Sequence, residues 1–162
     1  MNALMGSIAA ATAVGSGLLG GAFFALSAFV MPGLRQLPAP EAAAAMQAIN
    51  EAAPRSLLMV PLLMSPAGSV AVAAWAFTGD ARPARTWLLV GAAAGLACFA
   101  VTAAFHVPRN NALAALDPTA PATVELWTTY VHEWARMNHI RSLLGAAAAA
   151  SLSAGLTRLS GG

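Results

Sequence analysis

Charge is missing from this chain in long blocks. Residues 4–31, 57–77 and 87–107 contain no Asp, Glu, Lys or Arg, and 143–159 contains only Arg158. Each block has about the ~20 residues that a helix needs to cross ~30 Å of hydrocarbon. Lipid offers the backbone no hydrogen-bond partners, so such blocks fold as helices. Two longer connections, 32–56 and 108–142, hold most of the charge. Four crossings place both connections on the same membrane face, so the chemistry of the chain belongs to one end of a bundle. The expected fold is an all-α integral membrane four-helix bundle, one domain over 1–162, with helices about 4–31, 57–77, 87–107 and 121–159.

Composition agrees. Hydrophobic residues make up 59% of the chain and charged residues 9%, against about 25% charged in ordinary soluble domains. All the basic residues are Arg, and they are scattered, so they leave no nucleic-acid footprint. Cys98 is the single cysteine and lies mid-span, which excludes an internal disulfide and a cysteine metal site. The first apolar block has no basic segment before it and exceeds the roughly 7–15 residues of a signal-peptide core. It is expected to stay as the first span, in what is expected to be a bacterial inner membrane. Orientation stays open, because Arg35, Arg55, Arg109, Arg136 and Arg141 outnumber Arg82, Arg85 and Arg158 only while Arg109 and Arg141 are counted.

Gly17/Gly21 and Gly91/Gly95 have the small-xxx-small spacing that lets helix backbones approach in lipid. It predicts packing of the first span on the third. Pro61 and Pro66 predict a kinked second span. Pro32 and Gly33, within MPGLRQLP, predict the end of the first helix. Residues 41–53, between Pro40 and Pro54, predict a short amphipathic helix at the membrane surface or folded over the bundle mouth. After His106 and Pro108, Asn110 and Asn111 read equally well as turn residues and as donors aimed into a pocket. Pro121 suits a first helical turn, and nothing from there to Leu159 breaks the helix.

On that last helix, at about 100° per residue, Trp127, Tyr130, Trp134, Asn138 and Arg141 form one stripe, with His132 and His139 on its flank. Aromatic stripes are usually packing. An Asn and an Arg that carry the stripe into the membrane point instead to a polar cavity, unless Arg141 snorkels to the headgroups. Histidines on one face raise the question of a metal. His132 and His139 are seven residues apart, roughly 10.5 Å along a helix, too far for one ion with ~2 Å bonds. His106 and His139, from neighbouring helices, remain as a haem or metal pair.

VMPGLRQLP (30–38), AAMQAINEAAP (44–54), FHVPRNNALA (105–114) and WARMNHIRS (134–142), in this order on a four-span frame, resemble the anthrone-oxygenase-like family of small membrane proteins. The resemblance carries onto Met31, Pro32, Asn50, Asn110, Asn111, Trp134, Asn138, His139 and Arg141; at His106 the family more usually has Asn. It implies an oxidoreductase, an oxygenase that turns anthrones into anthraquinones with dioxygen and no organic cofactor. An anthrone methylene is acidic, so the protein need supply a base, donors for the enolate oxygen and a dry pocket. On this reading His139 or His106 is the base. Arg141, Asn138 and Asn110 stabilise the oxyanion, and Trp134, Tyr130, Asn111 and Asn50 contact the substrate. The expected partners are a lipophilic or aromatic small molecule and the bilayer. A haem- or metal-binding redox protein, and a non-catalytic protein that binds a lipophilic ligand or partner, are the competing expectations.

Overall fold

A computed structural model describes residues 3–160, and nearly all of them are helical. Five helices follow one another: α1, Ala3–Leu34; α2, Ala39–Ala52; α3, Met59–Trp75; α4, Gly79–Ala114; and α5, Pro121–Ser160. By length and composition α1, α4 and α5 each suffice to cross a membrane. The α2 and α3 segments, bent by 60° at their junction, make a fourth candidate together. The protein is thus an all-α membrane helical bundle. Large apolar side chains such as Val14, Leu18, Met64 and Leu143 face outward. Lipid tails are as apolar as these side chains, so the exposure carries no penalty there.

The helices pack in a ring: α1 lies against α3 and α5, and α4 lies against the same two. Glycine sets the closest approaches. A Cβ added at Gly145 of α5 would lie 2.7 Å from Gly20 Cα and 2.8 Å from Gly20 N on α1. Gly17 faces Ala149 where Gly20 faces Gly145, and Gly91 of α4 faces Leu152 where Leu88 faces Gly155, so both helices run antiparallel to α5. This corrects the expected pairing of the first and third spans. Their glycines serve α5 and α3 instead: Gly95 meets Ser69, and Gly21 meets nothing within 4 Å.

One end of the bundle is plugged by Val72, Trp75, Leu88 and Leu152 with several alanines. At the other end α2 folds over the mouth. Its Met46 packs with Met31, Leu113, Trp127, Tyr130 and Trp134 in a single cluster. Gln47 Nε2 donates to the carbonyls of Leu113 (2.8 Å) and Leu116 (2.9 Å), which fastens α2 to the end of α4. Of the two expected placements, the fold over the mouth is the observed one.

Neither Pro32 nor Pro108 ends its helix. Each follows a widened π turn, Leu26–Val30 in α1 and Thr102–His106 in α4. In these turns Met31 N–H reaches back five residues to Leu26 O, and Val107 N–H to Thr102 O. A proline ring clashes with the carbonyl of the preceding turn and brings no donor. The widened turn supplies the room, and the helix runs on to Leu34 and to Ala114. Asn110 and Asn111 are therefore helical, which corrects their reading as turn residues.

The α1–α5 crossing yields a paired test. Gly145→Ala should force the backbones apart at a cost of roughly 1–3 kcal/mol, the range for overpacking. Gly21→Ala should leave stability unchanged. Thermal unfolding of both variants in detergent reads the difference directly.

Candidate functional site

The 40-residue helix α5 carries Arg141 to the inside of the bundle, where it is 4% exposed. Its guanidinium donates to Asn138 Oδ1, one turn earlier, and to Thr102 Oγ1 of α4 at 3.4 Å. It lies 3.9 Å over the ring of Phe23 and 5.4 Å from that of Trp134. Nε has no acceptor. The ion pairs among the described residues are Arg55–Glu51 and Arg109–Glu133, so no carboxylate balances this charge. A buried charge held only by neutral acceptors is expensive and is usually turned toward a polar cavity.

Such a cavity is present. It has a volume of ≈ 240 Å³ and is walled by Phe23 and Leu26 of α1, Met46 and Asn50 of α2, Leu58 just before α3, Met59 and Leu62 of α3, and Thr102, His106 and Asn110 of α4. Trp134 and Arg141 of α5 complete it. Most of this lining is apolar. The Asn50, Pro54, Val107 and Asn110 side of the wall is shared with an outer, more open cavity of ≈ 530 Å³, where Gln47, Glu51 and Asn111 are added.

Polar side chains around the inner cavity are held in fixed orientations. Tyr130 Oη and Trp134 Nε1 both donate to Asn110 Oδ1 at 2.9 Å. With its oxygen so engaged, the amide keeps its N–H groups for other acceptors. Asn50 Nδ2 in turn donates to Tyr130 Oη at 3.4 Å. His106 is 1% exposed and sits in the π turn of α4. Its Nδ1 and Nε2 each lie 3.4 Å from a carbonyl, those of Val101 and Trp134. The ring meets Trp134 edge-on at 5.0 Å.

Of the residues expected at a site, Asn50, His106, Asn110, Trp134 and Arg141 line the inner cavity. Others take different places. Asn138 is fully buried behind Arg141 and spends its N–H groups on Phe23 O (2.6 Å) and Ser27 Oγ (2.7 Å). It positions the guanidinium and binds α5 to α1, so its N–H groups are engaged away from the cavity. Tyr130 likewise acts through Asn110, stacked between Trp127 and Trp134. Asn111 belongs to the outer cavity. His139 is exposed on the outside of α5. Of the two histidines expected as base, His106 therefore lines the cavity and His139 does not, and the two do not face a common haem or metal. No cluster of three metal-ligating side chains occurs among the described residues.

The sequence profile of the anthrone oxygenases matches residues 55–151. The chain belongs to the anthrone oxygenase family. The match to the anthrone oxygenases covers α3, α4 and most of α5, hence His106, Asn110, Trp134, Asn138 and Arg141, whereas Phe23, Met46 and Asn50 lie before it. No curated protein and no solved structure matches the chain.

Sequence reasoning missed Phe23, Ser27 and Thr102. Phe23 has no local signal in an apolar helix. Ser27 and Thr102 do, since each is a hydroxyl within an uncharged block and lies five or six residues before a proline. The Asn138 bridge gives a test of the geometry. Asn138→Leu should strip Arg141 of one acceptor and Phe23 O of its donor, a loss of about 1.5–3 kcal/mol for a bond to a charged group. Denaturant or thermal unfolding of the purified variant measures it.

Proposed function

We propose that the protein is a membrane oxygenase that oxidises an anthrone-type aromatic methylene with dioxygen. One observation carries this reading: a buried guanidinium without a counter-charge, its Nε without an acceptor, set in the wall of an apolar cavity large enough for a fused-ring ligand. Membership of the anthrone oxygenase family supports it. The substrate lies against Trp134 with its carbonyl oxygen toward Arg141. His106 takes a proton from the methylene, and the charge moves to the oxygen as an enolate. Arg141 stabilises that charge, which exists only once the proton has left, so its contribution falls on the transition state. The carbonyls of Val101 and Trp134 can both accept from the doubly protonated imidazole.

Dioxygen then adds to the electron-rich ring carbon, and the hydroperoxide that forms loses water to leave a second carbonyl. The sum is anthrone plus dioxygen to anthraquinone plus water. Carbon, hydrogen and oxygen balance without a further reductant. The bilayer is also the favourable source of both reactants, because each partitions into hydrocarbon. A bacterial inner membrane is the setting we propose.

Dioxygen uptake on an anthrone by the purified protein tests the reading. Arg141→Met should remain folded and lose about 10²–10³-fold in turnover, the effect of deleting an oxyanion donor. His106→Gln should lose roughly 10²–10⁴-fold, as for a general base. His139→Ala should keep full activity. A fully active Arg141→Met variant, or activity lost in His139→Ala alone, overturns the assignment.

A further inference from the structure

The middle of the bundle contains a second feature that the proposed reaction does not use. The hydroxyls of Ser16 on α1 and of Ser65 and Ser69 on α3 are buried and find no hydrogen-bond partner among the described residues. Ser16 and Ser65 line a void of ≈ 10 Å³ to which all four packed helices contribute, with Leu62 and Pro66 of α3 beside them and Gly95 and Gly145 opposite. Within a membrane bundle an unpartnered hydroxyl is costly, since neither lipid nor bulk water can satisfy it.

Pro66 adds a group of the opposite kind. Its nitrogen bears no hydrogen, so the carbonyl of Leu62, four residues earlier, receives no ladder bond from it. Leu62 and Pro66 both wall the void. Two residues with unpartnered hydroxyls, and one whose carbonyl lacks its usual ladder donor, thus line one small space. We infer that this void is a binding site for a single water molecule, which bridges Ser16, Ser65 and the Leu62 carbonyl.

Size and charge decide the ligand. A void of this volume is at the threshold for one water, on the order of 10–15 Å³ on this measure, and a water needs two to four polar partners. A cation would find no carboxylate in the lining. It would also be repelled by Arg141, whose carbonyl accepts from Cys98, another lining residue, at 3.6 Å. An anion would find no cationic side chain in the lining. Dioxygen would leave both hydroxyls without partners. Water alone both donates and accepts.

The consequence is mechanical. Leu62 lines the larger cavity as well, so the water supports the interrupted stretch of α3 directly behind one wall of that cavity.

An experimental structure of the whole protein, at a resolution that shows ordered water, tests the site. The expected result is one density peak within about 2.7–3.2 Å of the Ser16 and Ser65 hydroxyls. A void without density, with both hydroxyls turned to carbonyls of their own helices, overturns it. Thermal unfolding of Ser16→Ala, Ser65→Ala and the double variant gives an independent measure. Each single change should lower Tm by several degrees. The double change should fall well short of their sum, because both remove partners of the same water. Additive losses, or single variants as stable as the parent, overturn the proposal. Neither measurement reads dioxygen uptake, so the water site stands or falls apart from the oxygenase reading.

Discussion

A single buried charge organises the working end of this molecule. Arg141 has left water without meeting a carboxylate, and the surroundings are arranged to make that tolerable. Asn138 accepts from it while donating to α1, Thr102 accepts from α4, and the face of Phe23 contributes its quadrupole. Three helices are tied together through one guanidinium. The charge is only partly answered by neutral groups: Nε has no acceptor, and the residue stands in the wall of the cavity. Chemistry that creates a negative charge there is favoured by the same interaction that holds the helices in register.

The cavity has a roof because α2 does not leave the protein for the surface. The Met46 cluster draws α2 inward, and the bonds from Gln47 fix its position along α4. Asn50 is then carried to the boundary between the apolar inner cavity and the polar outer one. A ligand that spans this boundary meets apolar walls over most of its surface and oriented amides at its rim. Few polar groups placed at the edge of an apolar pocket are enough to fix orientation.

The legibility of this arrangement in the sequence was uneven, and the reasons are physical. The stripe Trp134–Asn138–Arg141 was readable because α5 is regular and unbroken, so spacing translates directly into direction. The base was not. His106 lies in a π turn, where the 3.6-residue rule no longer assigns a side, and the flanking angle of His139 left its exposure undecided. Glycine spacing revealed that a neighbour comes close at Gly91 but not which helix supplies it, because a bundle in lipid lacks the polar face that would orient each helix. The prolines misled for a related reason. Pro32 and Pro108 stop a helix only if the turn before them stays narrow.

The two π turns occupy matching places: five widened residues, one further residue, then proline, once in α1 and once in α4. A π turn stores one extra residue in the helix, which rotates everything beyond it by up to about 100° relative to an unbroken α-helix. In α4 this resets the phase between Cys98, which faces the bundle core, and Asn110, which faces the cavity. Over those twelve residues a regular helix would have carried Asn110 away toward α4's flank. The direction of the amide is thus encoded in the number of residues that precede it and not only in their identity. Residue count acts in this fold as an angular coordinate, and the loss of one residue from 103–105 would turn the far end of α4 without removing a single side chain from the site.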